Sequence, residues 1–242
     1  MFELRFAVEF VTTPVTISII IPALNEAESI GRVVGEMPWG RIVECIVVDN
    51  GSTDGTVEIA RAAGARVVES ARGYGAACKA GADAAVGEIL VWMDGDGSDV
   101  IAGLDALVGP IERGEADFVI GSRLRGRRES GSMLASQVFA GRMVGMAVWM
   151  TQGFRYTDMG PFRAMRKAQL ERLHMQEMTY GWNLEMQIKA CEAGLRIVEI
   201  PVDYRRRIGG TSKVSGNLRA SFVAAARILR VLLRARSKPG AG

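Results

Sequence analysis

Two aspartates one residue apart, Asp94 and Asp96, end the apolar run Ile89-Leu90-Val91-Trp92-Met93. Such a run reads as a buried strand, and Gly95 and Gly97 read as the turn that stops it. Carboxylates leaving a buried strand have few stabilising partners of their own. A divalent cation would neutralise them, and hard ions such as Mg²⁺ or Mn²⁺ prefer oxygen ligands. An ion in that place serves an enzyme that must hold a diphosphate. The alternative is a solvated Asp-Gly turn.

The elements that position this pair follow from the pattern around it. Val15–Ile21 is a β-branched run ending at Pro22, and Asn25-Glu26-Ala27-Glu28 then reads as a helix start with Asn25 as its cap. Ile42–Val48 is a second strand, closed by Asp49-Asn50-Gly51-Ser52; a helix opens at Thr53–Thr56 and stops at Gly64. Arg66–Glu69 is a short strand, Tyr74–Val86 an Ala-rich helix and Glu88–Met93 a strand. This alternation, with short connections from 15 to 112, predicts an α/β fold: a mostly parallel, Rossmann-like sheet with helices on both faces. Ligands of such sheets sit beyond the carboxyl ends of the strands. Asn25, Asp49, Asn50, Asp94 and Asp96 all fall there, which predicts one nucleotide-like site at one edge of the sheet.

The second half is less regular. A strand is expected at Phe118–Ile120, followed by the basic loop Arg123 to Arg128 and a helix near Leu134–Met150. A turn at Thr157–Pro161, a helix at Gly181–Ala193 and a strand at Arg196–Tyr204 precede the Gly209-Gly210 break and a last helix, about Asn217–Arg236. On that last helix Leu218, Phe222, Ala225, Leu229 and Leu232 form one stripe and Arg219, Arg227, Arg230 and Arg234 another. A basic amphipathic helix of this kind can lie in a membrane interface; packing on the domain and dimerisation are the alternatives.

Composition sets the bounds. The 242 residues are 48% hydrophobic and 24% charged, which fits a globular chain and excludes disorder. No apolar run is long enough to span a bilayer, since Val138–Met150 and Phe222–Leu233 are short and broken by arginines. The first residues make a poor secretory signal. Cys45, Cys78 and Cys191 are isolated, which predicts reduced, buried thiols and a cytoplasmic protein. Net charge is +3, yet Arg196 to Lys238 holds eleven Lys/Arg against Glu199 and Asp203, so the C-terminal end is expected to face an anionic partner. Gly73-Tyr74-Gly75 begins like a dinucleotide fingerprint, but Cys78 stands where its last Gly belongs. No Walker A sequence and no nucleic-acid-binding module is present. His174 reads as structural or exposed, and Trp39, Trp92, Trp149 and Trp182, with the Met143–Met150 stretch, as core.

The order Ile-Pro-Ala-Leu-Asn-Glu (21–26), Val-Val-Asp-Asn-Gly-Ser-Thr-Asp-Gly-Thr (47–56), Asp-Gly-Asp (94–96) and Gly-Ser-Arg (121–123) resembles family 2 glycosyltransferases. Within them it is most similar to the dolichyl- and polyprenyl-phosphate sugar (mannose) synthases. Asp158-Met159-Gly160-Pro161-Phe162-Arg163, Glu185-Met186 and Gly210-Thr211-Ser212-Lys213 continue the match, which covers about residues 15–235. The resemblance implies a GT-A fold, with residues 1–14 as an extension, 15–205 as the transferase domain and 206–242 as a basic loop and helix. It implies that Pro22, Asn25 and Glu26 line the nucleotide pocket and that Asp49 and Asn50 face base and ribose. It implies that Asp94 and Asp96 match the metal motif, with Asp96 ahead of Asp94 as the direct ligand, and that Gly95 between them lines the nucleotide pocket. Arg123, Ser212 and Lys213 would handle phosphates of donor or acceptor.

Two departures stand out. The family usually has Asp-Asp-Gly-Ser where this chain has Asp49-Asn50-Gly51-Ser52, and its synthases commonly read Asp-Ala-Asp where this chain has Asp94-Gly95-Asp96. The donor base, GDP or UDP, stays open, because an amide can donate where a carboxylate only accepts. The expected reaction is an inverting, metal-dependent sugar transfer to a polyprenyl or dolichyl phosphate at the cytoplasmic membrane face. A phosphate nucleophile is already anionic and needs no general base, only positive charge to position it, which Arg123, Arg125, Arg127, Arg128, Arg206, Arg207 and Lys213 could supply. A hydroxyl acceptor would need a base, and Asp158 and Glu185 are the motif-embedded candidates. A nucleotide-sugar-binding protein without activity is the non-enzymatic alternative, and a homo-oligomer is open.

Overall fold

The computed structural model describes residues 15–209. Continuous runs of Ile and Val become strands buried on both faces, as a central parallel sheet requires. β1 (Ile17–Ala23), β2 (Glu44–Asp49) and β4 (Ile89–Trp92) are the central three of these, and β3 (Arg66–Glu69) pairs with β2 at one edge. The seven strands run in the order β3-β2-β1-β4-β6-β5-β7, with β5 at Phe118–Ser122, β6 at Arg163–Arg166 and β7 at Ile197–Pro201. All pairings are parallel except those of β6, which lies antiparallel between β4 and β5. The expected mostly parallel sheet is therefore present.

Helices cover both faces: α1 (Ile30–Gly35), α2 (Thr56–Ala62), α3 (Tyr74–Ala84), α4 (Leu104–Glu112), α5 (Ala135–Gln152), α6 (Lys167–Leu173) and α7 (Trp182–Glu192). Alternate strand residues sort into two cores, as the period of two dictates. Ile17, Ile19, Ile21, Ile89 and Val91 meet α1 and α4 on one side. Ile20, Ile46, Val48, Leu90 and Trp92 meet α3, α6 and α7 on the other. The chain leaves β1 toward β2 on one side and returns to β4 on its other side. This reversal opens a crevice at the carboxyl ends of β1 and β4, where such sheets bind ligands.

Four expectations need correction. Asn25 does not cap a helix: it sits at φ +50°, and α1 begins only at Ile30 after a turn. β6 and α6 went unforeseen, because the arginines at both ends of Arg163-Ala164-Met165-Arg166 mask a strand. Arg163 is nonetheless fully buried, donating to the carbonyls of Gly160 and Asn183 and lying 5.9 Å from the Phe118 ring centroid. Trp92 and Trp182 are core residues, but Trp39 and Trp149 are 45% and 48% exposed, and the three α5 methionines, Met143, Met146 and Met150, are exposed as well. Cys45 and Cys78 are buried free thiols, whereas Cys191 is only half-buried. His174 is exposed and ends α6 in the left-handed conformation. The helix expected at 217–236 lies outside the described residues.

Candidate active site

β4 delivers three carboxylates within six residues. Asp94 follows the strand, and Asp96 and Asp99 follow in the turn that Gly97, at φ +77°, makes possible. Asp99 was not singled out from the sequence, although a third acid so close to the first two was a readable signal. Its Oδ2 accepts the Asp94 backbone N–H at 2.9 Å, and its buried Oδ1 has no hydrogen-bond partner among the described residues. Asp96 is 7% exposed, and its Oδ1 accepts from the backbone N–H (2.9 Å) and hydroxyl of Ser98. The phenol of Tyr74 donates to Asp94 Oδ1 at 3.4 Å.

The cluster is electrostatically loaded. Burial first, and then the charges of Asp96 and Asp99, hold the Asp94 carboxyl well above the usual carboxylate range; Glu26 adds to this and Arg123 opposes it. Burial likewise pushes Asp99 up to about 7, although the Asp94 N–H stabilises its charged form. Added positive charge would relieve both groups.

One such charge comes from the chain. Residues 204–209 lie as a strap across the turn: Arg205 N–H donates to the Ser98 carbonyl at 3.0 Å and Ile208 N–H to that of Asp96 at 2.9 Å. The strap carries Arg207, whose Nη2 is 2.6 Å from Asp96 Oδ2, while its buried Nη1 has no partner among the described residues. Tyr204, whose hydroxyl is 3.0 Å from Ser98 Oγ, completes the wall. Arg207 was expected only as one of several cations for an acceptor phosphate and Tyr204 not at all, because contacts between residues about a hundred apart leave no local signal.

Among the described residues no three His, Cys, Asp or Glu side chains converge into a ready-made metal cage. Mg²⁺-like ions do not need one; they are commonly held by one or two carboxylates, waters and the substrate's phosphates. The oxygen-only donors of Asp94 and Asp96, the mutual repulsion within the cluster and the unpartnered Asp99 oxygen fit such an ion.

Around this cluster the other expected residues divide into groups. Pro22 lies half-buried in β1, and Gly95 gives its carbonyl to the Ser29 hydroxyl at 2.8 Å. Asn25 ties the β1 end to the β2–α2 loop, its Oδ1 accepting Thr53 N–H at 2.8 Å and its N–H reaching Ser52 Oγ at 2.9 Å. Glu26 is buried beside the cluster, its N–H held by Thr56 Oγ1 at 2.8 Å. Asp49 accepts the N–H groups of Gly51 and Ser52.

Asn50 is held by the neighbouring loop. Its amide nitrogen donates to Ser70 Oγ (2.9 Å) and to the carbonyls of Ala71 (2.6 Å) and Gly73 (3.3 Å), while its Oδ1 accepts Gly73 N–H at 2.9 Å. It braces the β3–α3 loop. The braced loop also explains the amide, since a carboxylate could accept from Gly73 but donate to none of the others.

The two candidate bases are likewise occupied. Asp158, 3% exposed, grips Arg123 with both oxygens, at 2.7 Å to Nε and 2.8 Å to Nη2, and also accepts the N–H groups of Arg123 and Met159. Burial opposes its charge, but the Arg123 guanidinium outweighs this and keeps the carboxyl below its usual range. Arg123 in turn lies 5.0 Å from the Tyr204 ring centroid and lends positive charge to Asp94 and Asp99. Glu185 accepts the N–H groups of Gln176 and Glu177 and pairs with Lys189 at 2.9 Å. Lys213 and Ser212 lie outside the described residues.

Comparison with known proteins gives the family. Residues 18–174 match the family described as glycosyl transferase family 2. An uncharacterized glycosyltransferase of Mycobacterium bovis is 38% identical over 211 residues, covering 86% of this chain and 94% of the relative. The polyprenol monophosphomannose synthase of Mycolicibacterium smegmatis is 32% identical over 224 residues, covering 82% and 81%. Among solved structures, the glucosyl-3-phosphoglycerate synthase of Mycobacterium tuberculosis in complex with Mn²⁺ and UDP-glucose superposes with a TM-score of 0.72 at 25% identity, over 94% of this chain and 81% of that one. Its GT-A architecture is the one found here. By its sheet, its motifs and the span of that match, the chain belongs to glycosyl transferase family 2 and is a glycosyltransferase.

Proposed function

We propose that this glycosyltransferase moves a sugar from a nucleoside-diphosphate sugar, UDP- or GDP-linked, to a polyprenyl phosphate, with Mg²⁺ or Mn²⁺ held at Asp94 and Asp96. The observation that carries the acceptor is the commitment of Asp158 to Arg123 and of Glu185 to the 176–177 backbone and Lys189. Neither motif carboxylate is left to deprotonate a hydroxyl, and a phosphate nucleophile asks for none. The mycolicibacterial synthase, named for a polyprenol product, supports the same acceptor class.

In this reading Asp96 and Asp94 hold the ion, which supplies positive charge against the diphosphate as it leaves. Arg207 and Arg123 add fixed charge at the same wall, and Asn25, Glu26 and Asp49 frame the pocket at the ends of β1 and β2. The protein works at the cytoplasmic membrane face. Among the described residues no helix is long and apolar enough to cross a membrane.

A second reading has one observation in its favour: the superposed Mycobacterium tuberculosis enzyme is named for 3-phosphoglycerate, an acceptor with a hydroxyl. Asp99, with an unpartnered oxygen and a proton affinity near neutrality, is then the candidate base.

The test is transfer of labelled sugar from UDP-glucose and GDP-mannose, with Mn²⁺, to polyprenyl phosphate or to 3-phosphoglycerate. Product on the lipid phosphate, lost roughly a hundredfold in Asp96→Ala, is expected. Transfer to 3-phosphoglycerate alone would install the second reading.

A further inference from the structure

α5 is an 18-residue helix that contributes only Gly145 and Val148 to the buried interior. Phe139 (67%), Met143 (54%), Trp149 (48%) and Met150 (66%) are exposed along it. It has no acidic residue and a single basic one, Arg142. Beneath it lies a cavity of about 440 Å³ lined by Arg125, Arg142, Arg155, Leu124 and Met146. Arg125 donates to the Glu199 carbonyl at 2.6 Å. Arg142 and Arg155 have no ion pair or side-chain hydrogen bond among the described residues. Most other arginines near the sheet, such as Arg41, Arg123, Arg196, Arg205 and Arg207, are matched to a carboxylate.

An apolar helix face above a basic cavity is complementary to an anionic group on an apolar tail. We propose that α5 is the surface by which the protein docks on an anionic bilayer, a phospholipid phosphate entering the cavity between Arg142, Arg155 and Arg125. The helix lies in the interface without crossing it, since no described helix meets the requirements of a span.

Two other occupants fit less well. A second copy seated on this face would bring like-charged arginines together with no acid on either helix to offset them. The chain's own residues 210–242 hold seven Lys/Arg and no acid, so their charge opposes the cavity's and matches the same anionic surface. The proposal rests on the reading of a lipid-borne acceptor; its test uses vesicles that contain none, so a failure of docking is told apart from a failure of that reading.

The full chain is floated with vesicles of phosphatidylcholine, with and without phosphatidylglycerol, and Trp fluorescence is followed. Binding is expected only with phosphatidylglycerol, and Arg142→Ala/Arg155→Ala weakens it roughly thirtyfold. A blue shift survives Trp39→Phe and disappears in Trp149→Phe, which reports α5 contact without disturbing the arginines. Absence of binding, equal binding by the double-arginine variant, or a Trp149 shift that follows protein concentration and dimer formation without lipid would each overturn the proposal.

Discussion

Single residues at this site are defined by what their partners leave free. Asp158 and Glu185 carry motif positions, yet their oxygens are spent on Arg123, Lys189 and backbone N–H groups. Asp99, in no expected motif, keeps an unpartnered oxygen. The Asp158–Arg123 pair makes a prediction. Removing one partner of a buried pair costs about 3–5 kcal/mol, because the other charge stays buried and unmatched. Asp158→Asn is therefore expected to lower the unfolding free energy by about 3 kcal/mol at neutral pH. The folded-state pKa of Asp158 is depressed, so its stabilisation is present above the unfolded value near 4 and is lost as pH falls through the folded one. Urea titrations should show the gap between wild type and variant closing in acid; a gap that stays constant with pH would contradict the role of the charge.

Secondary elements were legible where burial is simple. β1, β2 and β4 are apolar runs with a polar residue at the carboxyl end, so their existence and the place of the site could both be read. β6 was missed because Arg163 is buried yet charged, satisfied by carbonyls that only the fold brings near. α5 was legible as a helix but not as an exposed one, since an apolar composition says nothing of what covers it. Helix contacts also separate glycines that composition treats alike. A Cβ at Gly81 of α3 would press on Ile20 and come within 2.9 Å of Val48 Cγ2, whereas one at Gly141 of α5 meets nothing within 4 Å. Gly81→Ala should cost about 1–3 kcal/mol by prising α3 from β1 and β2. Gly141→Ala should gain about 0.5–1 kcal/mol from backbone entropy. Thermal unfolding of both variants decides this; equal shifts would mean that α3 does not pack as described.

Across the whole molecule, the sheet gathers residues from 22 to 207 at one edge. The strap of residues 204–209 closes that edge by laying Arg207 on Asp96, a contact spanning 111 positions that no motif announces. The site thus combines a legible half, the strand ends, with a half created by tertiary packing. Its chemistry turns on whether the β4 carboxylates bind a nucleotide sugar through a cation. Calorimetric titration of UDP- and GDP-sugars into the protein, with and without Mn²⁺, measures this directly. Heat of binding should appear for one nucleotide only when Mn²⁺ is present and vanish in Asp96→Ala. Binding of equal strength without the metal, or undiminished binding by Asp96→Ala, would contradict it.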